Sequence, residues 1–205
     1  ALSAYAYVRA EMKEPKPQLL ATAVIPGGSS YEGYIVTRTD TDVQTIDQLQ
    51  GKVFCYVDPN STSGYLYPRA IFRRMGMDPD TSFRATRFSG DHLSALKALH
   101  AGACDGAAVY QNILFEAESH GMSPDRFRTL ATTDRIPYDA YCARPDMPKE
   151  EVDRLRGLLL NLKPGEESTQ ETLSRDGQLR GFVPAKDEDY ESVRRIMDFL
   201  DADAQ

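Results

Sequence analysis

Short runs of strand-forming residues alternate along this chain with segments of helical periodicity, and Gly or Pro separates most neighbouring pairs. Residues 19–25, 34–37, 53–57, 83–88, 107–109, 127–131 and 138–143 read as strands. Residues 1–13, 65–75, 91–100, 112–119, 148–162, 166–175 and 187–201 read as helices, with a short helical turn capped by Thr45 and stopped by Gly51. Such alternation predicts an α/β architecture with mainly parallel sheets. The run Val53-Phe54-Cys55-Tyr56-Val57 is apolar throughout, as in a strand covered on both faces. The first helix carries Leu2, Tyr5, Val8 and Met12 on one face and shows no N-cap, so the chain reads as starting inside an element.

Composition narrows the function classes. Hydrophobic residues make up 41% of the 205 and charged residues 27%, which is globular rather than disordered. A net charge of −7 without a basic run argues against a nucleic-acid surface. It does not exclude an anionic ligand, because distant surface charge is screened within about 10 Å. No apolar stretch approaches the ~18 residues of a membrane span. The first ten residues lack the basic start and apolar run of a signal peptide. Cys55, Cys104 and Cys142 are widely spaced, without a CxxC, and read as small packing residues; a Cys55–Cys104 bridge stays open if their strands are neighbours.

The densest chemistry lies where the 53–57 strand ends, in Asp58-Pro59-Asn60-Ser61-Thr62-Ser63-Gly64. A helix leaves its first N–H groups without partners inside it, and its dipole favours negative charge there. Ser61, Thr62 and Ser63 add three hydroxyls to that corner. Gly64 would let a backbone approach a ligand closely. The plainer alternative is a helix capped by Asn60 or Ser61 with nothing bound. No GxxxxGK[ST] occurs, so this is not a P-loop.

His92, in Ser89-Gly90-Asp91-His92, sits at a second loop-to-helix junction, and its imidazole could donate to an oxyanion. Read alone it is a partly exposed first-turn His. Asp139, in Ile136-Pro137-Tyr138-Asp139, would repel an anion unless a proton or cation lies between them. Facing a phosphorus oxyanion, it would accept a hydrogen bond from a protonated oxygen or pair with an amine, and it would reject sulfate. Read alone it is an exposed turn Asp.

In this order the segments resemble the solute-binding proteins of phosphonate, phosphite and phosphate ABC transporters, in the type II periplasmic-binding class. Asp58-Pro59-Asn60-Ser61-Thr62-Ser63-Gly64 resembles that family's signature loop, and Gly90-Asp91-His92 is similar to its Gly-x-His segment. Ile136-Pro137-Tyr138-Asp139, Ala103-Cys104-Asp105-Gly106-Ala107 and Ser30-Tyr31-Glu32-Gly33-Tyr34-Ile35-Val36 resemble the flanking strands. The resemblance implies a two-lobed fold, with 47–133 as one lobe and 1–46 plus 134–205 as the other, the latter incomplete. It implies that a signal and a βαβα stretch precede residue 1, roughly a third of a full protein.

For the site, the resemblance implies that Ser61, Thr62, Ser63 and His92 hold the oxyanion in a cleft between lobes. Asp139 would read its proton or amine, Tyr31 would line the cleft, and Gly64 would complete the turn. The position that is acidic in amine-binding relatives falls near Asn112. The implied partners are a small phosphorus oxyanion and a membrane permease, in the periplasm or tethered outside the cell. An unpaired sheet edge would leave a homodimer open. No nucleophile is paired with a base and no metal-ligand cluster occurs, so neither catalysis nor a cofactor is expected. The rival readings are a ligand-sensing domain of a receptor or kinase, a phosphoryl-handling enzyme, and a structural remnant that binds nothing.

Overall fold

The computed structural model describes residues 1–25, 28–162 and 179–202. The helix expected over 166–175 lies outside them. Helix α1 (Ala4–Glu11) has an N-cap after all: the Ser3 hydroxyl accepts the Ala6 N–H at 3.1 Å. Strands β1 (Gln18–Val24), β2 (Ser30–Tyr31) and β3 (Gly33–Arg38) follow, then a 3₁₀ turn at Asp47–Leu49 and β4 (Val53–Tyr56). Thr45 does not cap that turn; the Gln48 side chain accepts the Gln44 and Thr45 N–H groups at its entrance. A wide turn at Thr62–Leu66 leads into α2 (Tyr67–Arg74), β5 (Ala85–Phe88), α3 (His92–His100), β6 (Gly106–Tyr110) and α4 (Asn112–Glu116). Beyond these come β7 (Phe127–Thr132), β8 (Ile136–Pro137), β9 (Ala140–Ala143), α5 (Lys149–Asn161), β10 (Gly181–Val183) and α6 (Glu191–Ala202).

The described residues fall into two compact units. One comprises Ala1–Tyr31 with Pro137–Arg194, the other Glu32–Ile136 with the described part of Arg195–Gln205. The first passage between them therefore comes after Tyr31, whereas the sequence reading places it after residue 46. The reason is β3, which pairs with β6 on one side and β7 on the other and so belongs to the second unit's sheet.

In the first unit, β1 lies between β10 and β9, antiparallel to both. Val152 of α5 packs with Leu20, Ala21, Ala23, Ala143 and Phe182. Tyr7 of α1 meets Tyr190 with ring centroids 4.6 Å apart, and its hydroxyl donates to Asp187 Oδ1 at 2.9 Å. Burial and the Asp187 carboxylate both push that phenol's pKa up.

In the second unit, five strands run in the order β5-β4-β6-β3-β7. Strand β4 is parallel to β5 and β6, while β3 is antiparallel to β6 and β7. This sheet is thus mixed and the three-stranded one antiparallel, where mainly parallel sheets were expected. An apolar run covered on both faces reads the same in either orientation, so its composition could not decide this. The two faces of β4 separate as strand geometry requires. Val53, Cys55 and Val57 pack with Leu96 and Leu99 of α3, and Phe54 and Tyr56 pack with Phe72 of α2. Burying each such side chain contributes about 1.5–3 kcal/mol. This two-sided packing fixes the end of β4, from which the polar loop departs. Cys55 and Cys104 are buried free thiols, so the bridge left open by the sequence is not formed.

Candidate functional site

Two loops meet the end of β4, and the backbone of one residue holds both. The Val57 N–H donates to Gly64 O at 3.1 Å, and the Val57 carbonyl accepts the Gly90 N–H at 2.8 Å. The first loop begins with Asp58, whose Oδ1 accepts the Asn60 N–H and whose carbonyl accepts the Ser61 N–H. Of the two cap candidates, Ser61 is the one used. Its backbone is extended and its hydroxyl accepts the Gly64 N–H at 3.0 Å.

The winding that follows is of π type. Leu66 N–H bonds to Ser61 O and Tyr67 N–H to Thr62 O before the ordinary helix of α2 takes over. Wide turns of this kind recur at functional sites. Nothing in the composition of the loop announced it. Ser61, Thr62 and Ser63 are all buried, the last two 1% exposed. An anion accepting from hydroxyls at that depth would be stripped of water and held by dipoles.

Gly64 also meets a steric demand of the turn. A Cβ there would lie 2.4 Å from Val57 Cγ2, 2.5 Å from Val57 Cβ and 2.8 Å from Ser61 Oγ. Glycine at this position lets the turn fold down onto the end of β4.

The second loop carries Ser89 and Gly90, whose N–H groups donate to the carbonyls of Tyr56 and Val57. Asp91 caps α3: its Oδ1 accepts the Ser94 N–H at 2.7 Å, and these bonds hold its carboxyl below the usual range. His92 opens the helix. Its Nδ1 accepts the Tyr110 N–H at 3.1 Å, and its ring stands edge-on to the Tyr110 ring at 4.9 Å. Desolvation pushes its pKa down to about 4, against the pull of Asp58 and Asp91. His92 is therefore neutral at ordinary pH, with its proton on Nε2. It can give one hydrogen bond but no charge.

These five residues, Ser61, Thr62, Ser63, Gly64 and His92, come together at one strand end. Tyr31 and Asp139 belong to the other unit. There the Tyr31 ring stacks on Tyr138 with centroids 4.9 Å apart and planes inclined by 24°. Tyr138 stands in the sequence segment that carries Asp139, with no role expected of it there. The Asp139 carbonyl accepts the Thr22 hydroxyl at 3.2 Å. Water reaches Asp139, yet the protein around it desolvates the carboxyl and pushes its pKa up to about 6, with the Ala1 ammonium opposing. Asn112 opens α4. Among the described residues no group of His, Cys, Asp and Glu could hold a metal ion, and no helix is long and apolar enough to cross a membrane.

Residues 1–190 match the family model of the periplasmic phosphonate substrate-binding proteins of ABC transporters. Over 212 aligned residues the chain is 28% identical to the phosphate-import protein PhnD of Mycolicibacterium smegmatis. That alignment takes in 95% of this chain and 66% of the relative, so the chain spans just under two thirds of that protein's length. Among solved structures, PhnD1 from Prochlorococcus marinus in complex with methylphosphonate superposes with a TM-score of 0.83 at 18% identity, over 98% of this chain and 77% of that one. A binding component of an ABC phosphonate transporter from Pseudomonas aeruginosa gives 0.82 at 22% identity, over 96% and 66%. At these identities the superpositions establish the fold, which is that of the two-lobed α/β binding proteins.

Proposed function

This chain belongs to the periplasmic substrate-binding proteins of phosphonate ABC transporters, and from that premise we propose that it captures a small phosphorus oxyanion for ABC-type uptake. The candidate ligands are phosphonate, phosphite and phosphate. The observation that carries the reading is the corner at the end of β4, where buried Ser61, Thr62 and Ser63 begin a helix next to a neutral His92. Every donor assigned there is a dipole. An oxyanion held by fixed dipoles keeps its charge without a lysine or arginine, and hydrogen bonds to a charged partner contribute about 1.5–3 kcal/mol each. Tyr31 and Asp139 are assigned to the ligand from the other unit, on the strength of the family motif. The ligand is carried and left chemically unchanged. Delivery is to a membrane permease, with the protein working outside the cytoplasmic membrane.

Isothermal titration of the protein with methylphosphonate, phosphite, phosphate and sulfate tests this. Micromolar or tighter binding of one of the first three, with sulfate rejected, is the expected outcome. Silence toward all three phosphorus anions would overturn the proposal.

Asp139 adds a pH dependence whose sign follows from its raised pKa. One proton is shared between this carboxyl and the ligand. Below about pH 6 Asp139 holds it; above, the ligand oxygen must supply it. Affinity should therefore fall as pH rises from 5 to 8, and Asp139→Asn, which needs no proton, should flatten the profile. The ligand's own ionisation enters the parent's profile through that shared proton and Asp139→Asn lacks this dependence, so the two profiles should diverge as pH rises. Parallel profiles for the two proteins would remove Asp139 from the site.

A further inference from the structure

We propose that Gly33 and Thr133 form a seat that fixes where Ser63 stands, so that Gly33 is a positioning residue for anion affinity although its own atoms are not assigned to the ligand. The inference rests on the reading of Ser63 as an anion donor. A Cβ built on Gly33 would lie 2.9 Å from Ser63 Cβ, 3.3 Å from Ser63 Cα and 3.1 Å from Thr133 Cγ2. None of these contacts is the free end of a flexible side chain. Ser63, 1% exposed, has little room to retreat in a close-packed interior.

The polar atoms around the glycine are equally fixed. The Gly33 N–H donates to Thr133 Oγ1 at 2.8 Å, and the Gly33 carbonyl accepts the Thr133 N–H at 2.9 Å. The Thr133 hydroxyl in turn donates to the Asp134 carbonyl at 2.8 Å, so its single proton is committed and its lone pair faces Gly33. Across the sheet Gly33 is the ladder partner of Tyr110, the residue whose N–H fixes the His92 ring. Two donors of the proposed site, the Ser63 hydroxyl and the His92 Nε2–H, are thus placed by neighbours of one glycine. The backbone of Gly33 is not in the left-handed region, so the need for glycine is one of space alone.

The test is a double-mutant cycle. Gly33→Ala should weaken methylphosphonate binding tenfold or more. Its cost in denaturant unfolding should shrink by half or more when Ser63→Gly is also present, because that change deletes the Cβ atom the new methyl would strike. A generic packing role for Gly33 predicts the same unfolding cost in both backgrounds. Either that result or a Gly33→Ala affinity within twofold of the parent would overturn the seat. Should Gly33→Ala fail to fold, Thr133→Val takes its place. It keeps the branched shape, removes the acceptor for the Gly33 N–H, and should weaken binding several-fold; an affinity within twofold of the parent counts against the inference. If the parent protein binds no phosphorus anion, the proposed function fails, and the unfolding cycle still decides whether Gly33 seats Ser63.

Discussion

Replacing Gly64 with alanine should destabilise the second unit by about 3 kcal/mol, the upper end of what overpacking a filled interior costs. The new methyl would sit 2.4 Å and 2.5 Å from two carbons of Val57, far inside contact distance. Neither neighbour can give way easily. Val57 is 3% exposed and packed against α3 from the strand end, and its N–H is bonded to the carbonyl of Gly64 itself. For a chain of this size the unfolding midpoint should drop by about 10 °C. Val57→Ala would remove the nearer atom and leave the Cβ at 2.5 Å, so the double variant should recover part of the loss and no more. Chemical denaturation of the three variants measures this, and a Gly64→Ala protein as stable as its parent would show that the turn does not close on β4 as described. Anion binding should be lost with the turn, since Ser61 Oγ lies 2.8 Å from the same added methyl.

Alanine at Ser61, Thr62 and Ser63 together should weaken anion binding a thousandfold or more. The figure takes about 1.5–3 kcal/mol for each hydrogen bond to a charged partner, with losses that overlap because the groups act on one ligand. Single changes separate two roles within the triplet. Ser61→Ala should also lower the stability of the ligand-free protein by about 1 kcal/mol, because its hydroxyl caps the buried Gly64 N–H. In Ser63→Ala the hydroxyl goes and the Cβ against Gly33 stays, so affinity should fall about tenfold or more with a smaller change in stability. Calorimetric titration and thermal unfolding, run side by side, separate the two effects. A triple variant that bound within tenfold of the parent would mean the anion is held elsewhere.

The helix over 91–100 shows how far local chemistry carries. Its Asp91 cap, its Leu96 and Leu99 face and its stop at Gly102 are all short-range features, and the observed helix differs from expectation by one residue at its start. The Asp-Pro-Asn-Ser-Thr-Ser-Gly loop was recognisable for the same reason, as a run of small polar residues after an apolar strand. Ser3 was passed over as a cap because nothing preceded it to mark a boundary, yet its bond to Ala6 is a local one. The π winding after Ser61 had no signal, since the residues that form it also suit an ordinary first turn.

What the sequence determined alone was the order of the longer elements, without the short strands β2, β8 and β10, and the chemical character of the polar loop, because caps, turns and periodicity act over three or four residues. Tertiary structure decided the rest. The side of the boundary on which β3 falls, the mixed strand directions, the tautomer of His92 and the neighbours of Gly33 all depend on residues 18 to 100 positions apart in the chain or on which strands lie side by side. Local propensity carries no information about such pairings; they are settled only when buried surfaces and hydrogen-bonding groups from distant segments must be satisfied at once.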